Sequence, residues 1–240
     1  MSPKNQVNVL GIPFINKNKN EVESIIKTKI LKKQNTFVIT ANPEIVMYAK
    51  QHPEYQKVVL SADFVVPDGI GIIMGAKILN HPLKERVTGY DLFIDLLSWG
   101  NQNSKKAFFV GAKPNVIKDL QEKIKNTFPK LIISGAYDGY FRDDKKIRSE
   151  IQRTQPDMIF VATGYPKQEE FIYKNRQLSN GFWIGVGGSF DVFSGSVKRA
   201  PRFWQQAHLE WLYRAIKQPS RYKRLLILPK YLLEVWHQKK

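Results

Sequence analysis

Apolar positions follow two rhythms along this chain. Compact β-branched and aromatic runs, "VNVLGI", "TFVIT", "FVVPD", "KAFFVG", "LIISGAY", "MIFVATG" and "FWIGVGG", read as strands. Between them lie longer segments whose apolar residues recur at helical spacing, long enough for crossover helices. This alternation predicts an α/β fold with a doubly wound, largely parallel, Rossmann-like sheet. Ligands of such sheets sit beyond the carboxyl ends of the strands, so the residues that follow each run are where chemistry is expected. One internal echo stands out: "FFVGAKPN" and "IFVATGYPK" each join a strand through a Gly to a Pro suited to the first helical position. No repeat of solenoid length and no low-complexity tract accompany it.

Composition narrows the class. At 240 residues, with 42% hydrophobic and 25% charged, the chain is long enough to bury a substantial core and is not disordered. The absence of Cys excludes disulfides, thiolate zinc sites and cysteine nucleophiles. The N-terminal "MSPKNQVNVLGIPFINKNKN" has too brief an apolar run for a signal peptide or a spanning helix, and "LLILPKYLLEVW" is broken by Pro229 and Lys230, so a cytoplasmic location is expected. Charge is unevenly placed: 38 Lys and Arg stand against 21 Asp and Glu, a net of +17. After Ser196, eleven Lys and Arg face only Glu210 and Glu234. The chain is therefore divided into a core at 1–196 and a basic helical appendage at 197–240. Nucleic acid, anionic lipid and phosphorylated substrates are all open as partners of such charge.

Four stretches offer chemistry. In "TFVITANPEIVMYAK", Asn42, Pro43 and Glu44 form a well-capped helix start, and Thr40 at the strand end is balanced between packing and ligand contact. In "SADFVVPDGIGIIMGAKIL", Asp63 suits solvent, whereas Asp68 follows the strand and precedes Gly69 and Gly71, which permit close backbone approach. Asp68 has two possible roles: general base for a substrate hydroxyl, or cap of the helix from Ile70; spacing alone slightly favours the cap. "VATGYPKQEEF" and its sister "VGAKPNV" are Gly turns feeding helix N-termini, suited to an anion but equally ordinary tight turns, and neither is a Walker A loop or GxGxxG. Gln168 and Glu169 lie in the first turn, there to reach a ligand or to favour the helix dipole. "IGVGGSFDVFSGSVKRAP" sets Gly187 and Gly188 at a strand end and leaves Asp191 between ligand group and surface residue. His52, His81, His208 and His237 are scattered without ligand spacing and no DxD occurs, so a metal-free mechanism is expected. No Gly-x-Ser-x-Gly elbow speaks for an α/β-hydrolase.

The basic tail contains "RFWQQAHLEWLYRAIK", in which Phe203, Ala207, Trp211 and Ala215 share one helical face, ended by Pro219. Three readings compete on spacing alone. Arg beside aromatic residues suits nucleic acid, although no RRM, KH or helix-turn-helix pattern is present. A Trp-rich basic amphipathic helix suits a membrane surface. Arg closing over an active site suits a diphosphate that no metal neutralises. A solvated face on a docked helix is the plain alternative.

The segments "TANPEIV", "ADFVVPDGIGI", "ERVTGYDLF", "FFVGAKPNV", "GAYDGYF", "GYPKQEEF", "GVGGSFDVFSGSVKRAP" and "LEWLYRAIKQPSRYKR", in order from about Val7 to about Arg224, resemble the WecG/TagA/CpsF family of bacterial glycosyltransferases, glycosyltransferase family 26. The resemblance implies an inverting, metal-independent transferase without a cofactor. Such an enzyme moves N-acetylmannosamine from a UDP-sugar to undecaprenyl-diphosphate-linked N-acetylglucosamine at the inner membrane face, in teichoic-acid linkage-unit synthesis. Relatives with other donors, glucose or a mannosaminuronic acid, are alternatives. It implies Asp68 as the base, Thr40 at a strand end, and Gly164, Pro166, Gln168 and Glu169 near the nucleotide. Tyr165 stands where members often have a small residue. Arg86, Thr88, Gly89 and Asp91 are expected in the same cleft as Asn42, and Arg214, Arg221 and Arg224 over it. A peripheral, anionic membrane surface is the expected partner rather than nucleic acid, and self-association into a homo-oligomer is left open.

Overall fold

Successive side chains of the central strands leave for opposite faces of the sheet, and both faces are dry. Phe37, Ile39, Phe108, Val110, Ile159, Val161 and Trp183 enter one core. Their neighbours Val38, Ala107, Phe109, Met158, Phe160, Phe182 and Ile184 enter the other. Each fully buried side chain of this kind contributes about 1.5–3 kcal/mol, so helices must cover both faces.

The computed structural model describes residues 6–201, 203–204, 210–217 and 226–239. Strands β1 (Gln6–Val9), β2 (Ile12–Ile15), β3 (Thr36–Ala41), β4 (Phe64–Pro67), β5 (Lys106–Gly111), β6 (Ile132–Tyr137), β7 (Met158–Ala162) and β8 (Phe182–Gly185) form one sheet in the order β1-β2-β4-β3-β8-β7-β5-β6. All neighbours pair in parallel except β1 with β2. The expected α/β sheet is thus present, with one difference. "VNVLGI" is not a single strand, because Leu10 and Gly11 take φ of +50° and +84° and turn the chain into an antiparallel hairpin.

The first core is covered by α2 (Pro43–Gln51), α3 (Pro53–Leu60), α4 (Ile70–Ile78), α7 (Lys145–Thr154) and α8 (Lys167–Asn175). The second is covered by α1 (Lys19–Leu31), α5 (Gly89–Gln102), α6 (Pro114–Thr127) and the short α9 (Ser189–Ser194). Pro114 opens α6 as its first residue, as the echo predicts, but Pro166 stands one position earlier, at the N-cap of α8.

Beyond the expected boundary at Ser196 the described residues include α10 (Glu210–Lys217) and α11 (Ile227–Lys239). α11 packs on α2 and α4, with Tyr231 and Val235 fully buried in the first core. Gly75 makes this possible, since a Cβ there would lie 2.3 Å from the Tyr231 hydroxyl oxygen. Lys50 pairs with Glu234, and the Leu10 N–H donates to Gln238 Oε1 at 2.7 Å. The last helix therefore shares its buried side with the core, while its remaining faces carry the exposed Leu233 and Trp236.

Candidate active site

The carboxyl ends of β3, β4, β7 and β8 open into a cavity of about 380 Å³. Thr40, near the end of β3, lies in its lining, and its hydroxyl donates to the Gly185 carbonyl at 3.2 Å. Asn42 caps α2, its Oδ1 accepting the Ile45 N–H at 3.0 Å, and the same side chain borders the cavity. Next along the rim is Asp68, whose N–H donates to the Ala41 carbonyl at 2.9 Å. The cap role that spacing favoured for Asp68 is not realised. α4 starts at Ile70 behind Gly69, whose φ of +114° suits only glycine, and no side chain caps it. Instead Asp68 Oδ2 accepts the Gly89 N–H at the start of α5, at 3.3 Å. That bond holds a carboxylate at the cavity wall, beside the positive end of a helix.

The Val87 N–H donates to the Pro67 carbonyl at 2.9 Å, which sets Arg86 and Thr88 next to Asp68 in the lining. Arg86 is partly buried there, and among the described residues its guanidinium has no hydrogen-bond or ion-pair partner. Thr88 is the N-cap of α5: its Oγ1 accepts the Asp91 N–H at 3.1 Å and donates to Asp91 Oδ2 at 2.7 Å.

Asp91, expected among the substrate contacts, is engaged by the protein's own donors. It lies outside the cavity lining and is held by Arg199 Nη2 at 2.8 Å. Burial opposes its ionisation, but the Thr88 hydroxyl, Arg199 and Lys19 outweigh that and hold the carboxyl below its usual range. Arg199 also sits 4.4 Å from the centre of the Tyr90 ring and 3.9 Å from Glu210. It thereby joins α5 to α10, and it lines the cavity together with Tyr90, Glu210, Ile227 and Leu228. Sequence reasoning passed over Arg199; its only signal was its place in "VKRAP".

The far wall is the turn from β7 to α8. Gly164, with φ of +80°, Tyr165 and Gln168 border the cavity, and Tyr165 packs edge-on against Tyr48 at 5.8 Å. Glu169, expected near the nucleotide, is 1% exposed and lies behind the wall, because the first turn of α8 packs against α3. Of the three tail arginines, Arg221 and Arg224 lie outside the described residues, and Arg214 belongs to α10 without a described side chain.

The other side of the same turn faces a second cleft, of about 600 Å³. Here β5 and β7 are neighbours, and the chain leaves β5 toward β6 on one side but leaves β7 toward β8 on the other, the switch-point arrangement of ligand-binding parallel sheets. Lys113 before α6, Lys167 at the start of α8, Thr163 and Asp191 line it. The Thr163 hydroxyl oxygen is buried there and has no hydrogen-bond partner among the described residues. The turn at 163–166 is thus a partition between two neighbouring clefts, one at the switch point and lined by both lysines and carboxylates, the other holding Asp68 and Arg86. Among the described residues, no three His, Asp or Glu side chains converge as a metal site.

A family model described as "Glycosyl transferase WecG/TagA/CpsF family" matches residues 7–240. The chain is 46% identical over 215 residues to a Bacillus spizizenii protein named N-acetylglucosaminyldiphosphoundecaprenol N-acetyl-beta-D-mannosaminyltransferase, covering 89% of this chain and 84% of that one. Proteins of the same name from Bacillus subtilis and Staphylococcus aureus are 43% and 33% identical, each over 96% of this chain and over 91% and 92% of their own. With the match running nearly end to end, the chain belongs to the WecG/TagA/CpsF family of glycosyltransferases.

Proposed function

We propose that this chain transfers N-acetylmannosamine from a UDP-sugar to the N-acetylglucosamine of an undecaprenyl-diphosphate-linked acceptor, with inversion and without a metal ion, in teichoic-acid linkage-unit synthesis. The observation that carries the mechanism is Asp68 at the end of β4, sharing one cavity with an Arg86 that is unpaired among the described residues. The relatives' names give the sugar and the acceptor.

The switch-point cleft suits the nucleotide, with Lys113 and Lys167 beside the diphosphate and the reacting sugar passing the partition at Gly164 into the Asp68 cavity. There the acceptor hydroxyl oxygen attacks the anomeric carbon from the face opposite UDP. The new carbon–oxygen bond forms as the bond to the UDP oxygen breaks, and the electron pair leaves with UDP. The hydroxyl proton passes to the Asp68 carboxylate. Arg86 supplies positive charge to the departing diphosphate, and Arg214, Arg221 and Arg224 are proposed to add to it when the appendage closes. The acceptor is a lipid, and the exposed Leu226, Leu233 and Trp236 with Lys230 and Lys239 support seating of the tail on an anionic membrane surface. No described helix is long and apolar enough to cross a membrane.

The test is UDP release by the purified chain across UDP-N-acetylmannosamine, UDP-glucose and a UDP-mannosaminuronic acid, with a lipid-diphosphate N-acetylglucosamine acceptor. Acceptor-dependent release from the first, undiminished by EDTA, is expected. Faster release from another donor would replace the sugar assignment, and none from any donor would end the proposal.

A further inference from the structure

Glu169 is buried at 1% exposure, where a carboxyl group is costly unless its neighbours satisfy it. They do so in one direction. The Tyr55 hydroxyl donates to Oε2 at 3.0 Å, and Gln168 Nε2 donates to Oε1 at 2.6 Å. With its nitrogen so committed, Gln168 turns its Oε1 to the Gly187 N–H, which it accepts at 3.0 Å. Two glycines fit this relay. A Cβ at Gly185 would lie 2.6 Å from Gln168 Nε2, so only glycine lets the amide cross the end of β8. Gly187 has φ of +50°, and the space a Cβ would occupy is open.

We propose that Glu169 is a positioning residue: by accepting from Gln168 Nε2 it sets the sense of that amide, and the amide in turn holds the turn at Gly187 and Gly188, which walls the Asp68 cavity. An amide has two nearly isosteric orientations, and only one presents an acceptor to the Gly187 N–H. In the reversed amide two N–H groups would oppose each other at a buried site, at the cost of a lost hydrogen bond. For its effect on transfer, the inference rests on the function proposed above.

Tyr55 has a specific part in this. Burial pushes the Glu169 carboxyl up to about 7, against the lowering effect of bonds from Gln168, its own backbone N–H and Tyr55. The Tyr55 hydroxyl, pushed up by burial and by Glu169, stays neutral, and it can accept as well as donate. When Oε2 is protonated, its O–H therefore donates to the Tyr55 hydroxyl oxygen, and Oε1 continues to accept from Gln168. The other titratable groups near this pair are Glu170 on α8, Tyr165 in the preceding turn, and Tyr48 of α2 with the stacked His52 at its C-cap. Without the Tyr55 hydroxyl, the proton's remaining acceptor is the Gln168 amide oxygen, which must reverse to meet it.

The test combines kcat/KM against pH with hydrogen exchange at the Gly187 amide in Glu169→Gln, Glu169→Leu, Tyr55→Phe and Tyr55→Phe/Glu169→Gln. Glu169→Gln preserves the acceptor toward Gln168 and is expected to retain most activity. Glu169→Leu is expected to lose about tenfold to a hundredfold in kcat/KM and to speed Gly187 exchange. Tyr55→Phe is expected to gain an acid limb, with kcat/KM falling as pH drops through the Glu169 titration, and the limb should vanish in the double variant. If Tyr55→Phe follows the wild-type profile, or Glu169→Leu folds with wild-type Gly187 exchange, the clamp is refuted. Exchange reads the clamp without any transfer assay, so a failure of the functional assignment would be distinguishable from a failure of the inference.

Discussion

Arg86 reaches the cavity without an anionic protein partner among the described residues, whereas Arg199, also in the lining, is engaged by Asp91 and packed on Tyr90. A partly buried, unpaired guanidinium retains its fork of donors for a ligand phosphate or carboxylate. Arg86→Ala is expected to lower kcat by about 10²–10³, the usual effect of removing one transition-state donor, and Arg86→Lys to restore only part of it. Steady-state transfer kinetics check this, and an Arg86→Ala enzyme with wild-type kcat would remove it from the mechanism. Such roles are only partly legible from spacing. Asp68 next to Gly69 looks like a helix cap, and the cap reading fails because Gly69 takes that position and a residue 21 places on, Gly89, donates to the carboxylate. Asp91 and Glu169 sit at helix starts that resemble ligand sites, yet both carboxyls are consumed by the protein's own donors.

Elements were easier to read than roles. β3, β5, β7 and β8 are almost wholly buried, so apolar runs bounded by Gly or Asn mark them without ambiguity. The hairpin of β1 and β2 was hidden because Leu10 takes φ of +50°, a conformation no propensity argument assigns to leucine. α11 was hidden for another reason. Periodicity reveals that "ILPKYLLEVWHQK" has an apolar face but not whether a core or a membrane covers it. In the structure one face is already occupied by α2 and α4. Tyr231→Ala is therefore expected to destabilise the chain by about 3–5 kcal/mol in urea unfolding. Tyr231→Phe should be no less stable than wild type, because the Tyr231 hydroxyl is buried without a partner among the described residues. A Tyr231→Ala chain as stable as wild type would mean that the last helix does not dock.

At the scale of the whole molecule, the sheet places two clefts side by side and one turn, 163–166, between them. The net charge of +17 is explained by the proposed substrates and their location: a nucleotide diphosphate, a lipid diphosphate and an anionic membrane surface. The core was legible as a family fold because its motifs lie at strand ends that the topology gathers on one edge. The proposed closure of the arginine-bearing tail rests on the family resemblance alone, because closure would depend on a ligand and a surface that the sequence does not contain. The central claim is that Asp68 takes the acceptor's proton, and single-turnover transfer by Asp68→Asn tests it most directly, since asparagine can still accept the Gly89 N–H. The expected result is a loss of about 10²–10⁴ in the rate of sugar transfer with UDP-sugar affinity preserved. Transfer at the wild-type rate by Asp68→Asn would contradict it.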